Sequence, residues 1–270
     1  MSATTLKVAT LSLSPIKASP DDNLSTLGRA IELLDDDVDL LVLPELFSTG
    51  WVNDKETAEQ VAQPCGGSTI TTLSRIAERR HMAIAGSFLS RTGYQLFNRA
   101  FFIEPGGDRT FYDKHHLFTM GSEGEILTAG TDACPIIRYR GWNISMIVCY
   151  DLRFPVWCRN RDNAYDMLIV PANWPTERAY AWQHLLIARA IENQCCVIGA
   201  NRSGSDGKDN YDNNTFIYDA MGRSVGTVLA RRSAPAPILT ATLDLEEVRK
   251  VRRKMPVVAC ADGFTLVRNS

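Results

Sequence analysis

DMLIVP at residues 166–171, YAWQHLLIARAIEN at 180–193 and CCVIGA at 195–200 decide the fold class. The first and third are short apolar runs, the mark of strands buried on both faces. The segment between them is long and reads as a helix. Strand, helix, strand in this order is the unit that lays helices on a sheet. The same alternation opens the chain. A strand over 6–13 precedes a helix over 23–34, whose Leu24, Leu27, Ile31 and Leu34 fall at helical spacing. DLLVL at 39–43 is again wholly apolar, and a helix over 68–80 leads into a strand over 82–89.

The middle of the chain is denser in strands. The segments 95–104, 109–114, 136–140 and 142–149 all read as strands, with turns at Gly106-Gly107 and Arg140-Gly141. A helix is expected over 155–163 and a hairpin over 214–229 around Ala220-Met221-Gly222. A strand over 238–243 and a basic helix over 245–254 follow. The hairpins argue for mixed rather than purely parallel sheets. No linker, repeat or low-complexity stretch interrupts the pattern, so a single α/β domain over 1–270 is expected.

Composition narrows the class. Apolar residues make up 45% and charged residues 22%, which excludes a disordered or fibrous chain. The net charge of −2 gives no reason to expect nucleic acid or an anionic membrane as partner. No apolar run reaches membrane-spanning length. The opening MSATTLKVAT lacks the basic and apolar regions of a secretory signal. Seven cysteines, an odd number with no C-x-x-C, make a poor disulfide framework, so a reducing cytoplasm is the expected compartment. Cys195-Cys196 reads as two buried small residues. The four histidines show no metal-ligand spacing, and no cofactor is expected. His115 and His116, adjacent on a strand, would point to opposite faces and serve as polar packing or surface residues.

Three segments place a reactive side chain at the end of a strand, where ligands bind in α/β sheets. In LVLPELF, Glu45 directly follows a buried strand. It reads either as a loop carboxylate on the rim or as a general base whose pKa is lifted by apolar neighbours. In FYDKHHLF, Lys114 alone reads as a surface lysine. In SMIVCYDLRFP, Cys149 ends an apolar strand and precedes the expected helix, whose N-terminus would lower the thiol pKa. An inert buried cysteine is the alternative, but Asp151 and Arg153 beside it need partners. No histidine sits where a Cys–His pair can be argued, so another base is needed, and Glu45 is the candidate.

These three motifs, in this order, resemble the nitrilase or carbon–nitrogen hydrolase superfamily over about 6–264. The resemblance implies a Glu–Lys–Cys triad of Glu45, Lys114 and Cys149, with a second carboxylate in GSEGEILTAG, where Glu123 fits better than Glu125. Within the superfamily CYDLRFPVWCRN, VPANWPTERAYAWQHLLIARAIENQ and NRSGSDG look most like the omega-amidases. That implies hydrolysis of the terminal amide of 2-oxoglutaramate or 2-oxosuccinamate through a cysteine thioester. The implied fold is a four-layer α-β-β-α sandwich of two mixed six-stranded sheets, with a homodimer continuing the sandwich. Lys114 and the backbone N–H of Tyr150 would face the oxyanion. Phe47, Trp51, Phe118, Tyr150 and Trp174 are candidate pocket walls, and Trp174 is favoured because it closely follows a strand. Arg153 is either a substrate ligand or the partner of Asp151 or of the Glu45 loop. Related readings are an amidase for deaminated glutathione, a nitrilase or an N-carbamoyl hydrolase. A non-catalytic scaffold is the reading from another class.

Overall fold

The computed structural model describes residues 4–229 and 234–266. Two sheets carry the fold. The first runs β13 (Thr227–Val228), β14 (Ile238–Asp244), β1 (Thr5–Leu11), β2 (Leu40–Val42), β3 (Ala83–Thr92), β4 (Gln95–Ile103) and β5 (Arg109–Asp113). The second runs β12 (Phe216–Tyr218), β9 (Cys196–Asn201), β8 (Met167–Ala172), β7 (Trp142–Met146) and β6 (Ile137–Tyr139). Each sheet has three parallel strands at its heart, β1-β2-β3 and β7-β8-β9, with antiparallel strands on both sides. The mixed architecture is as expected, but the counts are seven and five rather than six and six. The chain turns at 219–222 and makes one bridge, Tyr218 to Ser224, before crossing to the first sheet as β13. The hairpin expected over 214–229 is therefore split between the two sheets.

Period-two alternation sets the layers. Leu6, Val8, Leu40 and Val42 point between the sheets and pack with Ile144, Met146, Met167, Ile169 and Ile198. The alternate residues Ala9, Leu11, Leu41 and Leu43 face α1 (Pro20–Ile31) and α3 (Ser68–Arg80). On the far side Leu168 and Val170 face Trp182, Leu186 and Ala190 of α5 (Ala179–Asn193). Strands covered on both faces explain the unbroken apolar runs. Burial of each such side chain contributes about 1.5–3 kcal/mol. Gly199 lets α5 lie this close, because a Cβ there would stand 2.4 Å from Leu186 Cδ1. The remaining helices are α2 (Lys55–Val61), capped by Asp54 through Thr57 N, α4 (Glu123–Ile126) and α6 (Leu245–Lys254). A separate two-stranded hairpin, β10 (Ser203–Ser205) with β11 (Asn210–Asp212), follows β9.

The helix expected over 155–163 is absent. A 3-10 turn, Cys149–Arg153, is followed by isolated turns and a second short 3-10 segment, Arg161–Asn163. Asn160 explains the failure: its amide binds Tyr165 N, Tyr165 O and Asn193 O, so the backbone bonds a side chain instead of extending a helix. Among the described residues, no helix is long and apolar enough to cross a membrane.

Candidate active site

The strand ends converge. Glu45 lies three residues past β2, Lys114 one past β5, Cys149 three past β7 and Asn173 one past β8. All four line a cavity of about 250 Å³. Lys114 Nζ donates to Glu45 Oε1 at 2.9 Å, and to Glu123 Oε1 and Oε2 at 2.7 and 2.9 Å. The ammonium and both carboxylates are almost wholly buried. Glu45 is not set among apolar neighbours alone. Its Oε1 accepts from Lys114 and from Asn98 Nδ2 (2.7 Å), and its Oε2 accepts from the backbone N–H of Asn173 (2.8 Å). Burial pulls the Lys114 pKa down, but Glu123 and Glu45 outweigh it and hold the value well above the ordinary lysine range. Lys114 is therefore a fixed cation. Glu123, not Glu125, joins this cluster; Glu125 points to solvent.

Cys149 faces the same charges. Its thiol pKa is pushed well above the ordinary value, by burial first and by the Glu45 carboxylate second. Lys114 and the Asn173 N–H act the other way and are outweighed. These influences favour the thiol over the thiolate, and a 3-10 turn, Cys149–Arg153, stands where a helix was expected to begin. The nucleophile needs a base.

Backbone strain marks both partners. Cys149 has φ +45° and Leu46, next to Glu45, has φ +48°. Such conformations cost on the order of 1–3 kcal/mol and persist only when the surroundings impose them. At the cysteine, Asp151 does so. Its fully buried carboxylate accepts from Val148 N (3.1 Å), Tyr112 OH (2.9 Å), His116 N (2.8 Å) and His116 Nδ1 (2.8 Å). Trp157 Nε1 donates in turn to Tyr112 OH. His116 stacks on Phe154 and His115 on Trp157, and the two imidazoles meet edge to face with centroids 4.6 Å apart. They pack, as expected, but on the same side, because β5 ends before them.

The cavity walls include Trp51, Phe118, Tyr150 and Trp174. Phe118 and Tyr150 meet edge to face, and Trp174 Nε1 donates to Arg178 O. Phe47 does not belong with them: it is fully buried against Phe101 on the helix side of the first sheet, because the turn after Glu45 carries it into the core. Arg153 pairs with neither Asp151 nor the Glu45 loop. It is exposed, lies 4.8 Å over the Trp174 ring and lines the cavity. Sequence reasoning missed Arg178, which stands over the Phe118 ring, and Lys17 and Lys208, all on the cavity wall. It also missed Asn98, a polar residue in an apolar strand, where the cost of burying an amide was the available signal. Among the described residues, no group of three His, Cys, Asp or Glu side chains is placed to hold a metal ion.

A four-layer α/β sandwich whose strand ends gather a thiol, an ammonium and two carboxylates is the frame of a hydrolase. Residues 7–253 match the family described as Carbon-nitrogen hydrolase, and the chain belongs to it. It is 41% identical over 229 residues to the omega-amidase YafV of Escherichia coli strain K12, covering 84% of this chain and 86% of that one. It is 34% identical to the 2-oxoglutaramate amidase of Bacillus subtilis strain 168, covering 88% and 90%. Among solved structures it resembles XC1258 from Xanthomonas campestris, a CN-hydrolase superfamily protein with an arsenic adduct in its active site. There the TM-score is 0.89 and the identity 34%, over 97% of this chain and 99% of that one.

Proposed function

We propose that this single-domain protein is an omega-amidase, which releases ammonia from the terminal amide of a 2-oxo-dicarboxylic acid monoamide such as 2-oxoglutaramate. The observation that carries the reading is the meeting of Glu45, Lys114, Glu123 and Cys149 at one cavity. The similarity to omega-amidases over most of the chain supports the substrate class.

Cys149 attacks the amide carbonyl, forming the C–S bond. Glu45 takes the thiol proton and passes it to the departing nitrogen, so that ammonia leaves and a thioester remains. Water then attacks the thioester, again deprotonated by Glu45, and the proton returns to the sulfur as the acid departs. Lys114 and the backbone N–H of Tyr150 face the oxyanion, where one donor is worth about 2.7–4 kcal/mol. Glu123 holds the Lys114 ammonium in place through both its oxygens. None of these steps asks for a metal or an organic cofactor.

The distal carboxylate of the substrate meets the guanidinium groups of a cavity wall that also carries Asp206 and Asp209. Arg153 and Arg178 are each held over an aromatic ring at the cavity, with Lys17 and Lys208 nearby. The reading extends to a homodimer in the cytoplasm, which light scattering and fractionation of the source cells test. The decisive assay incubates 2-oxoglutaramate with wild type and Cys149→Ser. Ammonia release and an acyl adduct on Cys149 alone are expected. An adduct on Cys158 or Cys195 instead overturns the assignment.

A further inference from the structure

Asn98 is fully buried in β4 and touches three members of the charged cluster. Its Nδ2 donates to Glu45 Oε1 at 2.7 Å and lies 3.4 Å from Glu123 Oε1. Its backbone carbonyl accepts from Lys114 N at 2.9 Å. Which end of the amide faces the carboxylates follows from their chemistry: ionised carboxylates only accept, so the NH2 group faces Glu45 and Glu123. Oδ1 is left to accept from Ser87 Oγ at 2.9 Å. The same hydroxyl oxygen accepts from the backbone N–H of Leu46 at 2.9 Å. The circuit starts at the backbone of the residue after Glu45 and returns to the Glu45 side chain.

This circuit makes the two oxygens of Glu45 unequal. Oε1 carries two side-chain donors, Lys114 and Asn98, whereas Oε2 carries one backbone donor, Asn173 N. Glu45, Cys149 and Asn173 line the same cavity, and Oε2 is the less occupied of the two oxygens there. An oxygen already holding two donors is the poorer proton acceptor. We infer that Asn98, aligned by Ser87 and Leu46 N–H, is a positioning residue that occupies Oε1 of Glu45 and so assigns proton transfer from Cys149 to Oε2. The inference rests on the proposed roles of Glu45 and Cys149, but not on which amide is the substrate.

Alkylation of Cys149 by iodoacetamide tests it without substrate. The rate is followed between pH 5 and 9 by mass spectrometry of the peptide that carries Cys149. Asn98→Asp keeps the shape but sets a like charge against Glu45, which favours the protonated carboxylate. Its alkylation rate is expected to fall about tenfold at pH 6, with the gap to wild type closing as the pH rises. Ser87→Ala removes the hydrogen bond that holds Asn98 Oδ1 and loosens the NH2 group against Glu45, and a smaller deficit with the same pH dependence is expected. A deficit equal at every pH, or none, overturns the proposal and leaves Asn98 as packing. If Asn98→Asp does not fold, Ser87→Ala decides by the same criterion. If wild-type Cys149 reacts no faster than the exposed Cys260, the base–nucleophile reading fails and the proposal with it; loss of amide hydrolysis with alkylation intact strikes only the substrate assignment.

Discussion

Lys114 and Glu123 meet through both carboxylate oxygens, with Nζ 2.7 Å from Oε1 and 2.9 Å from Oε2, in a place almost closed to water. Glu123 Oε2 also accepts from Phe118 N at 2.5 Å, which ties the ammonium to the loop that forms one wall of the cavity. The charge count around Lys114 is one cation against two carboxylates. Loss of Lys114 would leave two buried carboxylates without a counter-ion, whereas loss of Glu123 leaves the ammonium paired with Glu45 but without two of its three acceptors.

Glu123→Ala should therefore be expensive in stability as well as in rate. The variant strips Lys114 Nζ of two acceptors and leaves Phe118 N without one, at about 1–3 kcal/mol for each buried donor left unsatisfied, while Glu45 still compensates the ammonium. Urea unfolding should register a loss of that order, and ammonia release should fall with it. A variant within 1 kcal/mol of wild type would show that solvent reaches Lys114 and that the pair contributes little.

The elbow that bears Cys149 depends in the same way on Asp151, which accepts from four donors within a fully buried space. Asn in its place turns an NH2 toward one of the backbone donors, Val148 N or His116 N, and leaves it unsatisfied at about 1–3 kcal/mol, while Tyr112 OH or His116 Nδ1 must reverse its role. Asp151→Asn is expected to lose stability and to lower kcat more than it raises KM, because the strained backbone at Cys149 is no longer imposed. Unchanged thermal unfolding together with unchanged kcat is the outcome that sinks this account.

Much of this was legible in the sequence, for a physical reason. Strands covered on both faces leave unbroken apolar runs, so 166–171 and 195–200 announced themselves, and a reactive residue directly after such a run stands at a strand end. Glu45 and Cys149 stood out in that way, whereas Lys114 read alone as a surface lysine and joined them only through the resemblance of the three motifs to a family. What stayed hidden depended on contacts distant in sequence. Phe47 follows Glu45 closely but is carried into the core against Phe101, 54 positions later in the chain, and nothing local says so. Arg178 lines the cavity on a turn whose carbonyl accepts from Trp174 Nε1, and nothing in its own segment announces that. The expected helix over 155–163 lost to Asn160, whose partners Tyr165 and Asn193 are brought near only by the fold.

Arg153 and Arg178 carry the prediction on substrate choice. Each is aligned by an aromatic ring and has no carboxylate partner within ion-pair distance among the described residues. Arg178→Ala should raise KM for 2-oxoglutaramate about tenfold, equivalent to about 1.4 kcal/mol, and Arg153→Ala should act in the same sense. An amide of the same length without the distal carboxylate should show little difference between wild type and either variant. Alkylation of Cys149 should be unaffected in both. If KM rises equally for the acid and the neutral amide, the arginines shape the cavity and do not hold the carboxylate.

The buried acids set the response to alkali. Burial is the first cause that raises the thiols of Cys149, Cys195, Cys158 and Cys196, the last two to about 12 from an ordinary 9.0, and it raises Tyr112 and Tyr165 well above 10.0. A group whose pKa is higher in the folded chain holds its proton there after the unfolded chain has lost it. Its contribution to stability is complete below the unfolded value and disappears as the pH rises through the folded one. For the thiols that window opens near pH 9 and extends to about 12 for Cys158 and Cys196. Each thiol then removes about 1.4 kcal/mol per pH unit. Urea unfolding under reducing conditions should show no loss from these groups between pH 7 and 8.5 and a steep loss from pH 9 upward. Cys196→Ala should reduce that slope by about one proton's worth, because its thiol no longer ionises in the unfolded chain. Stability that stays level from pH 8.5 to 10.5 in the wild type would mean that Cys158, Cys195 and Cys196 reach solvent in the native state, contrary to their packing.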